Sequence, residues 1–395
     1  MSSRVRRLVA FFLGALGLIA ARPAAAYPWM IRHDYTACAQ CHADPSGGGI
    51  VTQYGRAQGE LLLRTHYSKK SDEDPGAAGK FLFGVNLPDS VLVEAVSRSA
   101  ELQVDSPGSK PFRTFIQFQA DLRAQVTAGK FRANGSIAYA DQGALPASLT
   151  GNQKGNVVSR EHWIGYDATD SVLIRAGRNN LPFGIRNIEH TFYVRSQTRT
   201  DINEFQQHGL AVAYSGSKIR TELMGIAGNF QVSPDDFRER GYSGYLEYTV
   251  LPKMTVGVSS LATHATVDVR LRRELTRTAN GVFLRAAPWK PLVILAENDL
   301  IALEIDRKAP IRVGSAGVVQ ADLEAIQGVH LIAAGEWFHD PQPRVGTSFG
   351  AWGGVDWFFA PHADIRIDGV ERDVPIGPGR RIRVMTWLGQ FHFYL

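Results

Sequence analysis

This chain of 395 residues has few cysteines, few long apolar stretches and little excess of charge of one sign. Only two cysteines occur, which excludes a small domain held together by several disulfides. Four of the 43 Lys and Arg residues lie in the first 26 residues, which contain no acid, so the remainder carries 39 basic and 38 acidic residues. This near-neutral balance argues against nucleic acid as a partner. Beyond Ala21, no apolar run approaches the roughly 20 residues of a membrane-spanning helix.

Residues 1–26 have the pattern of a secretory signal peptide. Arg4, Arg6 and Arg7 precede an apolar stretch at residues 8–21, and ARPAAA then supplies small residues at the cleavage position. We therefore expect export from the cytoplasm, cleavage of this signal peptide, and a mature chain that begins at Tyr27. An uncleaved membrane anchor is the alternative interpretation.

Both cysteines belong to one motif, Cys38-Ala39-Gln40-Cys41-His42. Two thiols separated by two residues can form thioethers with the two vinyl groups of a haem, and the adjacent imidazole can bind the iron. The motif therefore predicts one covalently bound haem c, held by Cys38, Cys41 and His42. A thioredoxin-like redox pair and half of a zinc site are the alternatives. The first needs βαβ surroundings and the second another cysteine pair, and the sequence has neither.

The sixth ligand of the haem iron is not specified by any pattern. His66, His33 and Met30 are the nearby candidates, and a histidine would give a lower reduction potential than a methionine. The predicted haem segment, residues 27–71, is close to the limit of about 40 residues below which a chain rarely folds alone. Residues 72–80 are rich in charge, Pro and Gly, as expected for a linker. We therefore predict that the haem segment is a plug inside the structure formed by residues 81–395.

Residues 81–395 consist largely of short runs in which polar and apolar residues alternate, the period of a half-buried strand. We count about 16 such runs, and every second connection between them is tight. The tight connections are TAGK, DATDS, SGSK, VLPK, AAPWKP, AIQG and FAPHA. Alternating short and long connections are typical of outer-membrane barrels, whose short turns face the periplasm. The fold class is therefore all-β: an antiparallel transmembrane β-barrel in outer-membrane lipid, with both ends facing the periplasm.

Two further stretches support a barrel. In the last run, Trp387, Phe391 and Phe393 fall on one face and His392 on the other, as expected for a strand between lipid and lumen. A soluble edge strand would expose this apolar row and invite aggregation. The longest connection, residues 179–207, is dense in arginine, and we expect it to fold inward and narrow the lumen. A solvated external loop is the alternative.

With CAQCH followed by Pro45, the Tyr-Gly-Arg at 54–56, and a barrel pattern, the chain resembles the outer-membrane cytochrome–porin fusions. This family is best known for iron oxidases, in which a mono-haem segment precedes a 16-stranded barrel. AGRNNLPFGIR at 176–186 is similar to the Gly-x-x-x-x-Pro-Phe element of phosphate-selective-type porins.

This resemblance implies electron transfer across the outer membrane between an extracellular donor, such as Fe(II), and a periplasmic carrier, such as a soluble cytochrome c. Whether the chain acts as an Fe(II) oxidase is left open by the motif, which specifies redox chemistry and not the donor. The alternative function is an anion or general solute porin whose haem segment is a plug or sensor.

Overall fold

The computed structural model describes residues 27–68, 76–140, 156–186, 189, 191–307, 309–341 and 346–395. The predicted signal peptide, residues 72–75 of the predicted linker and residues 141–155 therefore lie outside the described residues. Most of the described residues form an antiparallel sheet. The strands are β1 (Val91–Asp105), β2 (Phe112–Ala128), β3 (Phe131–Ala140), β4 (Asn156–Val158), β5 (His162–Thr169), β6 (Val172–Asn179), β7 (Gln207–Ser215), β8 (Ile219–Gly228), β9 (Arg240–Leu251), β10 (Met254–Ala265), β11 (Leu275–Trp289), β12 (Leu292–Ile305), β13 (Arg312–Ile326), β14 (Val329–His339), β15 (Thr347–Ala360), β16 (Ala363–Gly377) and β17 (Arg380–Tyr394).

The sheet closes on itself, because the first strand pairs with the last from Val96 opposite Tyr394 to Asp105 opposite Met385. Both β4 and β5 pair with β3, so they are two parts of one strand position and the barrel has 16 positions. The two parts are joined at Ser136 of β3, whose hydroxyl accepts hydrogen bonds from the backbone N–H groups of Arg160 and Glu161 at 3.0 and 2.9 Å. The predicted fold class, an antiparallel barrel of about 16 strands, is confirmed.

All seven predicted tight connections join consecutive strands at one rim of the barrel, here called the tight-turn rim. The chain enters β1 and leaves β17 at this same rim, where Leu395 and Ala95 exchange two backbone hydrogen bonds of 2.8 Å. The prediction that every other connection is long fails at one place. Only residues 378 and 379 join β16 to β17, and Gly379 has φ +68, a conformation that suits a turn this short.

The two faces of the wall differ as the alternating pattern predicts. Outward side chains include large apolar residues such as Phe115, Ile164 and Leu223, which are 65%, 66% and 60% exposed. Inward positions carry buried charged residues, for example Glu222 and Asp299. An apolar outer band and a polar interior are the features of a barrel that lies in lipid.

The helical elements are few. Among the residues described, no helix is both long and apolar enough to cross a membrane. The helices are α1 (Gln53–Leu62) and α2 (Tyr193–Ser196), and the 3-10 turns are Pro28–His33, Cys38–Gln40, Ala77–Gly79, Phe81–Gly84 and Asp235–Phe237. The first turn of helix α1 is capped by the Thr52 hydroxyl, which accepts a hydrogen bond from the Gly55 N–H at 3.1 Å.

Candidate functional site

Residues 27–68, here called the plug, lie inside the barrel, as predicted. An apolar cluster joins Trp29, Met30 and Ile31 of the plug to inward residues of the wall, namely Phe283, Val293, Leu295 and Phe358. The backbone N–H of Thr65 donates to the carbonyl of Phe358 at 2.9 Å. Because Phe358 lies near the turn between β15 and β16, the plug occupies the tight-turn half of the lumen.

Buried charge fixes the plug as well. Arg32, fully buried, forms an ion pair with Asp322 of β13 and a second with Glu324 at 3.3 Å. On the opposite wall, a guanidinium nitrogen of Arg175 in β6 lies 3.1 Å from a carboxylate oxygen of Asp44 in the plug. Burial alone would raise the pKa of the Asp44 carboxyl, but the nearby guanidinium groups of Arg175 and Arg186 lower it. Asp44 is therefore an ionised anchor at neutral pH.

Within the CAQCH motif, Cys38–Gln40 form a 3-10 turn. The backbone N–H groups of Cys41 and His42 both donate to the carbonyl of Cys38, at 3.1 and 3.0 Å. His42 then pairs with Val51 in an isolated antiparallel bridge. These bonds hold the two thiols and the imidazole on one short, rigid turn.

The chain reverses between His42 and Val51 through three consecutive glycines with positive φ, at Gly47, Gly48 and Gly49. A side chain there would be strained, and a Cβ at Gly49 would lie 2.9 Å from a carboxylate oxygen of Glu161. The positive φ values explain why three glycines occur here, and Gly49 also lies close to the wall.

The thiols are free and protonated. Cys38 and Cys41 form no disulfide with each other, although two residues separate them. Burial raises the pKa of both thiols, and for Cys41 the neighbouring Cys38 adds to the shift. Because neither sulfur is part of a disulfide, both can form a covalent bond to carbon.

Cys41 and His42 line a cavity of about 130 Å³ between the plug and the wall, here called the central cavity. This volume is smaller than the roughly 300–1,000 Å³ that is typical of ligand pockets. Much of the lining is apolar or aromatic, and charged groups come from strands β1 and β2. The apolar and aromatic residues are Tyr27, Val51, Leu63, Phe81, Val96 and Tyr394, and the charged ones include Glu94, Arg98 and Arg123.

Cys38 faces a second, smaller cavity of about 20 Å³, which Arg220, Glu247 and Arg285 also line. Pro28 and Arg186 border both cavities, so the two spaces adjoin on either side of the CAQCH turn.

The residues present fit a covalently bound haem. Two free thiols at the required spacing, an imidazole beside them and an apolar cavity with basic groups on its wall are the donors and surroundings that such a group needs. The zinc alternative is disfavoured, since the described residues contain no group of three or more His, Cys, Asp or Glu side chains placed to hold a metal ion.

None of the three predicted sixth ligands lines the central cavity. Met30 is fully buried in the apolar cluster of the plug. Nε2 of His33 lies 3.9 Å from a carboxylate oxygen of Glu324 in β13, and burial lowers the pKa of His33 to about 4. His66 is exposed at the tight-turn rim. The choice among these three stays a prediction.

Sequence reasoning missed a second histidine at the central cavity, His392 of β17. The alternation of the last strand placed this residue on the polar, inward face, which was the available signal. Its proximity to CAQCH could not be predicted, because it depends on how the barrel closes.

The described residues of the connection 180–206, here called the inner loop, fold into the lumen as predicted. Arg195 forms a buried ion pair with Glu297 of β12, and the N–H of Tyr193 donates to the Glu336 carboxylate at 2.8 Å. Phe192 packs edge-on against Trp352 with the ring centres 4.7 Å apart. The loop meets the plug at Asn180, whose amide donates to Asp44 at 3.1 Å.

No protein-family model matches the chain, and no curated protein sequence matches it. Solved structures of outer-membrane barrels do match. OmpTdeltaL8, a loop-deletion mutant of the outer-membrane protein OmpT of Vibrio cholerae, has a TM-score of 0.58 at 13% identity, over 78% of this chain and 100% of that one.

The anion-selective porin from Comamonas acidovorans has a TM-score of 0.55 at 9% identity, over 78% of this chain and 99% of that one. The outer-membrane channel DcaP of Acinetobacter baumannii has a TM-score of 0.52 at 11% identity, with the same two coverages. At these identities the likeness establishes the fold, a porin-like outer-membrane barrel.

Proposed function

We propose that this protein carries electrons across the outer membrane through one haem c bound inside the lumen of its barrel. Cys38 and Cys41 would hold the haem covalently and His42 would bind its iron. When bound, the haem supplies one-electron redox chemistry. The observation that carries the proposal is that the CAQCH turn, with both thiols free, borders a cavity inside the barrel instead of facing solvent.

The placement of the cavity suits transfer to the periplasmic side. Strand β1 continues for seven residues beyond Arg98, a residue lining the cavity, to Asp105. At about 3.3 Å per residue this is roughly 23 Å of strand. An extracellular donor would therefore have to enter the outer half of the lumen, whereas a periplasmic carrier such as a soluble cytochrome c could dock at the tight-turn rim.

Fe(II) is the donor that the resemblance to cytochrome–porin fusions implies. The test is an oxidised-minus-reduced absorption spectrum of outer-membrane fractions and of the purified chain, before and after addition of Fe(II). We expect a c-type spectrum that Fe(II) reduces. A haem that no Fe(II) concentration reduces, although dithionite reduces it, would rule out Fe(II) as the donor.

A solute porin is the second candidate function, and the likeness to an anion-selective porin and to the channel DcaP favours it. Single-channel conductance separates the two functions. Electron transfer predicts low conductance in the full chain and a rise when residues 27–68 are deleted. High conductance in the full chain, together with a haem that no donor reduces, would support the porin.

A further inference from the structure

His392 lies on the inner face of the last strand and lines the same cavity as Cys41 and His42. The alternation along β17 is regular here. Trp387 and Phe391 point outward and are 48% and 42% exposed, while the Gln390 amide points inward and donates to Asp368 at 2.7 Å. His392 therefore faces the lumen because of its register, and closure of the barrel places it beside β1 and the plug.

Asp364 fixes the orientation of this imidazole. The two residues are directly opposite in the β16–β17 ladder, and a carboxylate oxygen of Asp364 lies 2.9 Å from Nδ1 of His392. Because Nδ1 faces this carboxylate, Nε2 is the ring nitrogen that can bind a metal. A carboxylate on one ring nitrogen is the usual support of a histidine that binds a metal through the other.

The other oxygen donors around the cavity are engaged or unsuited to binding the iron. The Tyr394 hydroxyl donates to the carbonyl of Pro361 at 3.1 Å, and Glu94 forms an ion pair with Arg123 at 3.1 Å. Burial raises the pKa of the Tyr27 phenol well above its usual value, so it stays protonated. Within the described part of the chain, no methionine or lysine lines this cavity.

We infer that His392 is the second protein ligand of the haem iron, with Asp364 as its positioning residue. The inference rests on the proposed function, because it needs a haem at CAQCH. It replaces the three nearby candidates with a residue 350 positions from His42, and it makes the barrel wall part of the haem site. Two imidazole ligands give a lower reduction potential than one imidazole and one thioether.

The test compares His392→Ala with His66→Ala in the purified full-length chain. His66 is the matched control, because it is an exposed histidine at the same rim. Haem staining on a denaturing gel reports the covalent attachment, and the reduced spectrum with and without carbon monoxide reports the sixth coordination position. We expect His392→Ala to keep the stain, become high-spin and bind carbon monoxide, and to regain a low-spin spectrum with added imidazole. His66→Ala should match the unaltered chain.

A low-spin haem that resists carbon monoxide in folded His392→Ala would overturn the ligand assignment and leave the proposed function standing. Absence of haem stain in the unaltered chain would instead overturn the proposed function itself. Heat-modifiable migration on a gel checks that each variant is a folded barrel.

Two milder variants keep the test open if alanine prevents folding of the last strand. His392→Met should stay low-spin with a higher reduction potential. Asp364→Asn should keep the low-spin spectrum but also raise the potential, because the carboxylate no longer makes the imidazole a stronger donor. An unchanged potential in both folded variants would contradict the assignment.

Discussion

The plug and the inner loop both fill the lumen, and each is held by apolar contacts together with buried ion pairs. In the plug, Trp29, Met30 and Ile31 pack against four apolar residues of the wall, and Arg32 pairs with Asp322. In the inner loop, Phe192 packs on Trp352, and Arg195 pairs with Glu297. The two segments differ in position, because the plug lies in the tight-turn half and the inner loop joins β6 to β7 at the other rim. We therefore expect the plug to close the tight-turn half and the inner loop to control entry from the other half.

The largest expected effect is the loss of covalently bound haem. Cys38→Ala combined with Cys41→Ala should abolish covalent haem completely, because the chain has no other thiol. The measurement is haem staining on a denaturing gel. The single variant Cys38→Ala is the control and should keep reduced staining through Cys41. Staining that persists in the double variant would contradict the covalent assignment.

The apolar seat of the plug can be broken at Trp29. This side chain is 4% exposed, stacks on Tyr27 with ring centres 4.6 Å apart and meets Phe358 edge-on at 5.8 Å. Trp29→Ala should weaken the seat by about 3–5 kcal/mol, the usual cost of removing a buried aromatic side chain. Limited proteolysis should then cut near CAQCH, a region that we expect to be protected in the unaltered chain. Tyr67→Ala, at an exposed plug residue, is the control.

The buried ion pair between the inner loop and β12 can be removed at Arg195. Arg195→Ala leaves the Glu297 carboxylate buried without its partner, which typically costs about 3–5 kcal/mol. Single-channel conductance should rise while haem staining stays unchanged, because the plug does not depend on this pair. The double variant Arg195→Met with Glu297→Gln removes both charges and should recover much of the low conductance. Equal conductance in all three forms would show that the loop does not control the lumen.

The smallest effect is a pH dependence of the inner loop. Burial, with the charge of Glu204, raises the pKa of Asp201 to about 7, although the N–H of Asn203 and the charge of Arg160 oppose the shift. An unfolded aspartate has a pKa of about 3.9. Between these values the folded chain holds a proton that the unfolded chain releases, so this contribution to stability is complete below about pH 4 and is lost as the pH rises to 7.

Asp201→Asn should remove this dependence, so that the loop resists protease better than the unaltered chain at pH 8 and equally at pH 4. The control is Asp235→Asn, at an exposed aspartate outside the inner loop. If the unaltered chain and Asp201→Asn lose resistance in parallel between pH 4 and pH 8, a group other than Asp201 titrates.

The sequence predicted much of the architecture because its signals are local. Period-two alternation depends only on which face of a strand meets lipid, so the strands and all seven tight turns could be located. The two-residue turn between β16 and β17 was missed, since Gly379 allows a turn where the pattern led us to expect a long loop. The thioether motif is equally local, with its chemistry set by five adjacent residues.

The sequence by itself determined the barrel class, the haem motif and the inward placement of His392 on its strand. Only the tertiary structure decided that His392 and His42 border one cavity. The reason is ring closure: β17 must pair with β1, so residues at opposite ends of the chain become neighbours at a point that no local pattern encodes. The same closure creates the lumen that gives a 42-residue plug the apolar wall it lacks alone.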